Sequence, residues 1–174
     1  KVLINGRDLY AHYDEFRTQM GYVPQQEIIP TALTVEAALS YAAELRLAAD
    51  ISAQERAERI TQALDAVEMN SDRIRQTRIS KLSGGQRKRV SIAAELLADP
   101  KIFFLDEPAS GLDPGLEKKL MYTLRKLADE GRTIILITHA TDNITQVDNV
   151  AFLAQGQLIY YGPPAAAQSY FAVD

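Results

Sequence analysis

Two apolar runs, each ending in polar residues, constrain the fold more than any other feature of this sequence. The first is IFFLDE at residues 102–107 and the second is TIILITH at residues 133–139. Continuous runs of this kind are typical of central parallel strands that are covered on both faces. Between them, Asp113 and Pro114 precede leucines at helical spacing and Gly131 follows, which predicts a helix with a cap and a defined end. Strand, helix and strand in this order predict a parallel βαβ unit.

Shorter patterns extend this arrangement on both sides. KVLINGRDLY at residues 1–10 predicts a short strand, an Asn-Gly turn and then a strand or a loop. GYVPQ at residues 21–25 predicts a strand that its proline ends. VAFLAQGQLIYYG at residues 150–162 alternates around a Gln-Gly pair, which predicts an antiparallel hairpin, and residues 164–171 predict a closing helix. We therefore expect an α/β domain with a mainly parallel sheet.

The segment between these strand regions is predicted to be a helical insert. Thr34 is placed to cap one helix. Ser52 with Glu55 predicts a capping box at the start of another helix that runs to about Met69. VSIAAELLA at residues 90–98 is apolar nearly all round, which predicts a buried helix.

Composition excludes several classes of site and partner. The net charge of −4 and the pI near 5.3 argue against nucleic acid as a partner. The sequence contains no cysteine, which excludes disulfides and cysteine-ligated metals. No apolar run approaches the roughly 18 residues that a membrane-spanning helix needs, so we do not expect this chain itself to cross a bilayer. We interpret the basic triplet Arg87-Lys88-Arg89 as a solvated helix face.

Four polar residues follow predicted strands, where the ligands of open α/β sheets collect. They are Gln25, Asp106, Glu107 and His139. Taken singly, each is more often a cap, a turn or a structural residue. Taken together, they are typical of a nucleotide site, in which Asp106 holds Mg²⁺ through water and Glu107 deprotonates an attacking water. His139 is placed to donate to a γ-phosphate oxygen, and Gln25 to contact the metal or the water.

The stretch LSGGQ at residues 82–86 directly precedes the predicted buried helix. Gly84 and Gly85 carry no side chain, so their backbone N–H groups can approach an anion closely. The positive end of the helix points to the same place, and Ser83 adds a hydroxyl donor. The sequence predicts a phosphate-binding element from Ser83 to Gln86, with ordinary turn chemistry as the alternative.

The order and spacing of LSGGQ, FFLDEPASGLD at residues 103–113 and ITH at residues 137–139 strongly resemble the nucleotide-binding domain of ATP-binding cassette (ABC) transporters. The resemblance covers nearly the whole chain. SGGQRKRVSIAAELLADP and GQLIYYGPP look most like subfamily G, the white-type exporters, although Ala109 stands where that subfamily usually has threonine. The resemblance implies a P-loop NTPase-like fold with a mainly parallel sheet. Residues 34–98 would form a helical subdomain, and residues 99–174 a further part of the core.

The resemblance also implies roles for individual residues. Leu82–Gln86 would be the signature motif, Gln25 the Q-loop glutamine, Asp106 the end of the Walker B strand, Glu107 the catalytic base, Ser110–Asp113 the D-loop and His139 the switch histidine. Nucleotide contacts would come from Ser83, Gly84, Gly85, Gln86 and Asp113, and water-mediated Mg²⁺ contacts from Asp106 and Gln25.

The implied ligands and partners are ATP, Mg²⁺, a second nucleotide-binding domain and a transmembrane permease domain in the same chain or a separate subunit. In that family the dimer is head-to-tail, and the signature of one subunit grips the γ-phosphate of ATP held by the other. The helical insert at residues 34–78 would face the permease, at the cytoplasmic face of a membrane.

The P-loop pattern G-x-x-x-x-G-K-[ST] does not occur, since the chain has no Gly-Lys pair. In the family that loop precedes the strand corresponding to KVLING. We therefore expect residues 1–174 to be a partial ATPase domain, truncated before the P-loop, that is inactive by itself and has sheet edges that must be covered. Two alternatives are a soluble ABC-type ATPase of translation or DNA repair and a non-enzymatic interaction fragment.

Overall fold

The computed structural model of this chain describes residues 1–26, 28–139 and 142–172. The chain begins with a small antiparallel hairpin of β1 (Leu3–Ile4) and β2 (Arg7–Asp8), followed by the short helix α1 (Tyr13–Phe16). Asn5 has a φ of 50° and Gly6 a φ of 78°. Two successive positive φ angles are the geometry of a type I′ turn, which confirms the predicted Asn-Gly turn, and the segment after it is a strand.

Three parallel strands form the central sheet, in the order β3 (Met20–Val23), β4 (Ile102–Asp106) and β5 (Thr133–Ile137). The helix α6 (Pro114–Asp129) connects β4 to β5, which confirms the predicted parallel βαβ unit. Gly21 lies opposite Phe103 in the ladder, and a Cβ atom on Gly21 would lie 2.8 Å from the Phe103 ring. A glycine is therefore required where the first strand passes this fully buried aromatic ring.

Five helices connect and cover these strands: α2 (Val35–Arg46), α3 (Ala53–Ala66), α4 (Asp72–Arg75), α5 (Gly84–Leu96) and α6 (Pro114–Asp129). Thr34 and Ser52 cap α2 and α3 as predicted, because their hydroxyls accept from the N–H groups of Ala37 and Glu55. Among the described residues, the return bond from the Glu55 side chain is absent. Only half of the predicted capping box is therefore formed.

One continuous cluster of buried apolar side chains joins the sheet to the helices. Its fully buried members include Leu39 of α2, Leu64 of α3, Ile92 of α5, Phe103 of β4 and Leu120 of α6. The helical insert and the sheet therefore share a core, and α5 lies in the middle of it. None of the helices in the described ranges is both long and apolar enough to cross a lipid bilayer.

The two faces of the sheet differ, and the prediction that both are covered is wrong for the described part of the chain. Ile134 and Leu136 of β5 lie opposite Phe103 and Leu105, and this face packs into the core. On the other face, Ile137 is 52% exposed. Alternate residues of a strand point to opposite faces, so a helix layer on one side buries only every second residue.

The remaining elements agree with the sequence. β6 (Val150–Ala154) and β7 (Gln157–Gly162) form an antiparallel hairpin, and α7 (Pro164–Phe171) follows it. Gln155 and Gly156 have φ angles of 50° and 74°, again those of a type I′ turn.

Candidate active site

The ends of β4 and β5 bring two of the predicted site residues into contact. The backbone N–H of Glu107 donates to the carbonyl of Ile137 at 2.8 Å, which continues the β4–β5 ladder by one residue. This bond directs the Glu107 side chain toward the residues that follow β5. There, His139 Nδ1 lies 2.8 Å from Glu107 Oε1. The contact joins residues 32 positions apart in the sequence.

Glu107 occupies an unusual backbone conformation. Its φ of 46° lies in the left-handed region, where a residue with a side chain is strained by about 1–3 kcal/mol. The ladder bond to Ile137 and the contact with His139 hold the residue in this conformation. Strain of this kind concentrates at active sites, where it fixes the direction of a reactive side chain.

The hydrogen-bond roles of the two ring nitrogens of His139 depend on its tautomer. An ionised carboxylate only accepts hydrogen bonds, so the proton in this contact is assigned to His139 Nδ1. Nε2 of the same ring then donates to a phosphate oxygen only when the ring is an imidazolium. The carboxyl side chain is 17% exposed and the imidazole 78% exposed. The carboxylate is therefore largely sheltered from solvent, while the imidazole is exposed.

Asp106 lies one residue before this pair, at the end of β4. Its Oδ2 is 3.5 Å from the hydroxyl of Tyr22, which β3 places alongside. Gln25 follows β3 and is exposed. Among the described residues, no hydrogen bond joins its side chain to Asp106, Glu107 or His139. The structure therefore brings Glu107 and His139 together and places Gln25 beyond the end of the neighbouring strand.

The signature stretch, Leu82–Gln86, forms the N-terminal cap and the first turn of α5. The Ser83 hydroxyl accepts from the N–H of Gln86 at 3.3 Å, and the Gln86 side chain accepts from the N–H of Ser83 at 3.0 Å. This is a complete capping box, so ordinary turn chemistry, the alternative for this stretch, is realised. The first-turn N–H groups of Gly84 and Gly85 have no intrahelical acceptor, as at any helix start, and they remain the candidate anion donors.

The two glycines differ in their surroundings. Gly84 is exposed, and a Cβ atom added to it would meet the Arg87 side chain only at 4.0 Å. Gly85 is buried, and its Cβ atom would lie 3.3 Å from both Leu112 and Leu116. The sequence interpretation gave both glycines the same role. The structure gives Gly85 a packing role against α6 and the loop before it.

Asp113 caps α6 as predicted. Its Oδ1 accepts from the N–H groups of Gly115 at 3.0 Å and Leu116 at 3.2 Å. Because Leu112 and Leu116 touch Gly85, the loop that ends in Asp113 is packed against the signature stretch of the same chain.

The basic triplet is not the solvated face that the sequence predicted. Arg87 donates to the carbonyl of Leu82 at 2.8 Å, and Arg89 to that of Val67 at 3.3 Å. Lys88 is 4% exposed, and its Nζ donates to two backbone carbonyls near Gln25. The reason is the burial of α5 on nearly all sides, which leaves its basic side chains facing loop carbonyls. The apolar run at residues 90–98 was the signal that could have indicated this.

Comparison with known proteins gives consistent matches. A family model described as ABC transporter matches residues 1–110. The ABC transporter ATP-binding/permease protein Rv1747 of Mycobacterium tuberculosis is 43% identical over 164 residues, which cover 94% of this chain and 19% of that protein. The broad substrate specificity ATP-binding cassette transporter ABCG2 of Sus scrofa is 36% identical over 178 residues, covering 98% of this chain and 26% of that protein. The chain thus spans about a fifth to a quarter of these relatives.

Solved structures agree with these matches. The protein cbiO1 from Clostridium perfringens, described as part of the ABC transporter complex cbiONQ, has a TM-score of 0.84 and 29% identity, covering 96% of this chain and 67% of its own. The ATP-binding cassette MJ0796, described as dimeric and bound to ADP and Pi, has a TM-score of 0.73 and 27% identity, covering 86% of this chain and 66% of its own. The predicted fold class is confirmed.

Proposed function

The chain belongs to the ABC transporter family, and from that membership we propose that it forms part of the ATP-hydrolysing domain that powers a membrane transporter. One observation carries the proposal: the Glu107 carboxylate and the His139 imidazole meet at 2.8 Å beyond the carboxyl ends of β4 and β5. This contact supports the proposal, because a carboxylate and an imidazole then lie where α/β sheets bind phosphate-bearing ligands. The activity is proposed for the whole protein, of which its relatives suggest this chain is a part.

The oxygen donors at this edge suit Mg²⁺. This ion keeps several of its waters and needs only one or two carboxylates besides the substrate phosphates. Within residues 1–26, 28–139 and 142–172, no cluster of three or more His, Cys, Asp or Glu side chains forms a metal cage. We assign Asp106 and the Gln25 amide oxygen as the contacts of this partly hydrated ion, through water. When bound, Mg²⁺ neutralises charge on the ATP phosphates.

The protein side chains then act on water and phosphate. Glu107 accepts a proton from the water that attacks the γ-phosphorus of ATP, which yields ADP and inorganic phosphate. His139 donates to a γ-phosphate oxygen and, through Nδ1, keeps the Glu107 carboxylate in place.

The signature stretch serves a second copy of the domain. We assign the Gly84 and Gly85 N–H groups and the Ser83 hydroxyl to the γ-phosphate of ATP held by a head-to-tail partner, with Gln86 and Asp113 beside them. Such a two-fold interface forms two equivalent sites together. The exposure of Gly84 and the dimeric state described for MJ0796 support this assignment.

The proposed function predicts Mg²⁺-dependent hydrolysis. The purified whole protein, assembled with its permease, is expected to release phosphate from ATP, and chelation of Mg²⁺ by EDTA is expected to reduce the rate to background. Steady-state phosphate release with and without added Mg²⁺ is the measurement. No ATP turnover by the assembled wild-type protein in saturating Mg·ATP would contradict the function.

A groove beside the Q-loop is the surface we assign to the permease. Its volume is about 290 Å³, and it lies between the segment after β3 and helix α2. Its rim is apolar and open, with Ile28 79%, Tyr41 57% and Leu45 86% exposed. Exposed apolar patches of this kind mark interaction sites. Because the relative Rv1747 is named an ATP-binding/permease protein, the occupant we commit to is a helical permease segment at the cytoplasmic face of the membrane.

Placing a charge in this groove is expected to lower the rate of transport without removing any residue of the proposed hydrolytic site. Leu45→Glu puts a carboxylate where an apolar segment packs, and burying an unpaired charge is costly. ATP-driven substrate uptake into vesicles is expected to fall at least roughly tenfold, which corresponds to about 1.4 kcal/mol. Tyr122→Glu, at a 69% exposed position of α6 outside the groove, is the matched control. Equal transport by both variants would contradict the assignment.

A further inference from the structure

We propose that Lys88 is a positioning residue that fixes the backbone around Gln25 against the signature helix α5, an inference that rests on the proposed function. Lys88 Nζ donates to the carbonyl of Gln25 at 2.9 Å and to that of Pro24 at 3.2 Å. These bonds join the first turns of α5 to the segment directly after β3, across 63 and 64 positions of sequence.

The burial of Lys88 makes these hydrogen bonds important for the local structure. Lysine is almost never fully buried, because an ammonium ion taken out of water needs hydrogen bonds or an opposite charge. Lys88 is 4% exposed. Its donors therefore must be directed at acceptors, and two successive carbonyls can meet one ammonium group only if the backbone of Pro24 and Gln25 turns toward α5. The lysine thus selects one conformation of the segment that carries Gln25.

A second side chain of the same helix holds the strand just before this segment. Glu95 lies seven residues after Lys88, so both side chains lie on one face of α5. Its Oε2 accepts from the N–H of Tyr22 at 3.3 Å and from Arg46 of α2 at 2.8 Å. The Glu95 carboxylate therefore attaches β3 to α5, and the Lys88 ammonium attaches the following Gln25 segment to the same helix two turns earlier.

The attachment has a consequence for the proposed site. The start of α5 is the signature stretch, assigned to ATP of the partner subunit, and Gln25 is assigned to Mg²⁺ of its own subunit. Lys88 links the two through one helix, so the position of the Gln25 backbone is tied to the start of α5. Removing its donors is expected to loosen Gln25 while the Glu107–His139 pair at β4 and β5 is untouched.

The chain offers a matched control at the next position. Arg89 is also a cation of α5 that donates to a backbone carbonyl, but its acceptor is Val67, at the end of α3. Lys88→Met and Arg89→Met each remove a buried cation–carbonyl contact from the same helix. Only Lys88→Met removes one from the Gln25 segment.

The test uses the whole protein, with two readouts. The first is hydrogen–deuterium exchange of peptides covering residues 20–30 without nucleotide, which does not depend on activity. The second is steady-state hydrolysis as a function of Mg²⁺ and of ATP. Loss of a residue that orients a ligand's contact group typically costs 10–100-fold in metal affinity or activity. We expect Lys88→Met to raise the half-saturating Mg²⁺ concentration or lower kcat by roughly that factor, with a small change in the KM for ATP.

The outcomes separate the inference from the function it rests on. Faster exchange in residues 20–30 and altered Mg²⁺ dependence in Lys88→Met, with neither in Arg89→Met and partial rescue in Lys88→Arg, support the role. Unchanged exchange in Lys88→Met, or equal effects of both methionine variants, overturns it. Should Lys88→Met not fold, Lys88→Gln is too short to reach both carbonyls, and wild-type behaviour in that variant overturns it as well. A wild-type protein without ATP turnover defeats the proposed function, while the exchange comparison still decides whether Lys88 holds the segment.

Discussion

Replacing Glu107 by glutamine in the whole protein is expected to lower ATP turnover by roughly 10²–10⁴-fold, the range for loss of a general base. This substitution keeps the hydrogen bonds that position residue 107. Glutamine keeps an oxygen that accepts from His139 Nδ1, where Glu107 Oε1 now accepts at 2.8 Å. The ladder bond from the backbone N–H to Ile137 is unaffected. What is removed is the capacity to take a proton, so ATP binding is expected to survive and the ATP-bound dimer to accumulate.

Steady-state phosphate release and nucleotide-dependent dimerisation by light scattering measure the two halves of this prediction. Glu130→Gln makes the same chemical change just after α6, where the carboxylate pairs with Arg132, and it is expected to leave turnover unchanged. Near-normal turnover in Glu107→Gln would remove Glu107 from the role of base.

Gly84→Asp is expected to abolish hydrolysis without destabilising the fold. Two unit charges 4 Å apart at an effective dielectric constant of 20 repel by about 4 kcal/mol, which corresponds to a loss on the order of 10³-fold. Folding is expected to be unharmed, because an added Cβ atom has room at this exposed position and an acidic residue in the first turn of a helix is favourable. The affinity of the monomer for ATP is expected to change little.

Two variants make this prediction specific. Gly84→Asn adds a side chain of the same size without the charge, and it is expected to retain much more turnover than the aspartate. Gly85→Leu is expected to lower the melting temperature, because even its Cβ atom would lie 3.3 Å from Leu112 and Leu116, so the larger side chain would overpack a filled site. The measurements are kcat, light scattering with ATP and thermal unfolding. If the aspartate and asparagine variants lose turnover equally, charge repulsion at a partner's phosphate is not the cause.

The sequence by itself determined the elements and their order. The apolar runs, the Asn-Gly and Gln-Gly turns and the caps at Thr34, Ser52 and Asp113 depend on neighbours a few residues away. Features that depend on such local interactions can be predicted from a single sequence. Consecutive strands of a chain are neighbours in about two-thirds of cases, and the parallel pairing of β4 with β5 brings their carboxyl ends side by side. The meeting of Glu107 and His139 at that edge could be expected from the sequence for this reason.

Only the tertiary structure decided which of several equivalent residues face which surroundings. Gly84 and Gly85 are identical in sequence terms, but one faces solvent and the other packs on Leu112 and Leu116. Lys88 lies in a basic triplet that predicts a solvated helix face. Because α5 is buried on nearly all sides, the Lys88 side chain instead donates to carbonyls 63 and 64 residues away. The outer face of β5 is exposed although four of the five residues of this strand are apolar. Each outcome depends on which distant segment packs against the residue, and the local sequence around the residue does not identify that segment.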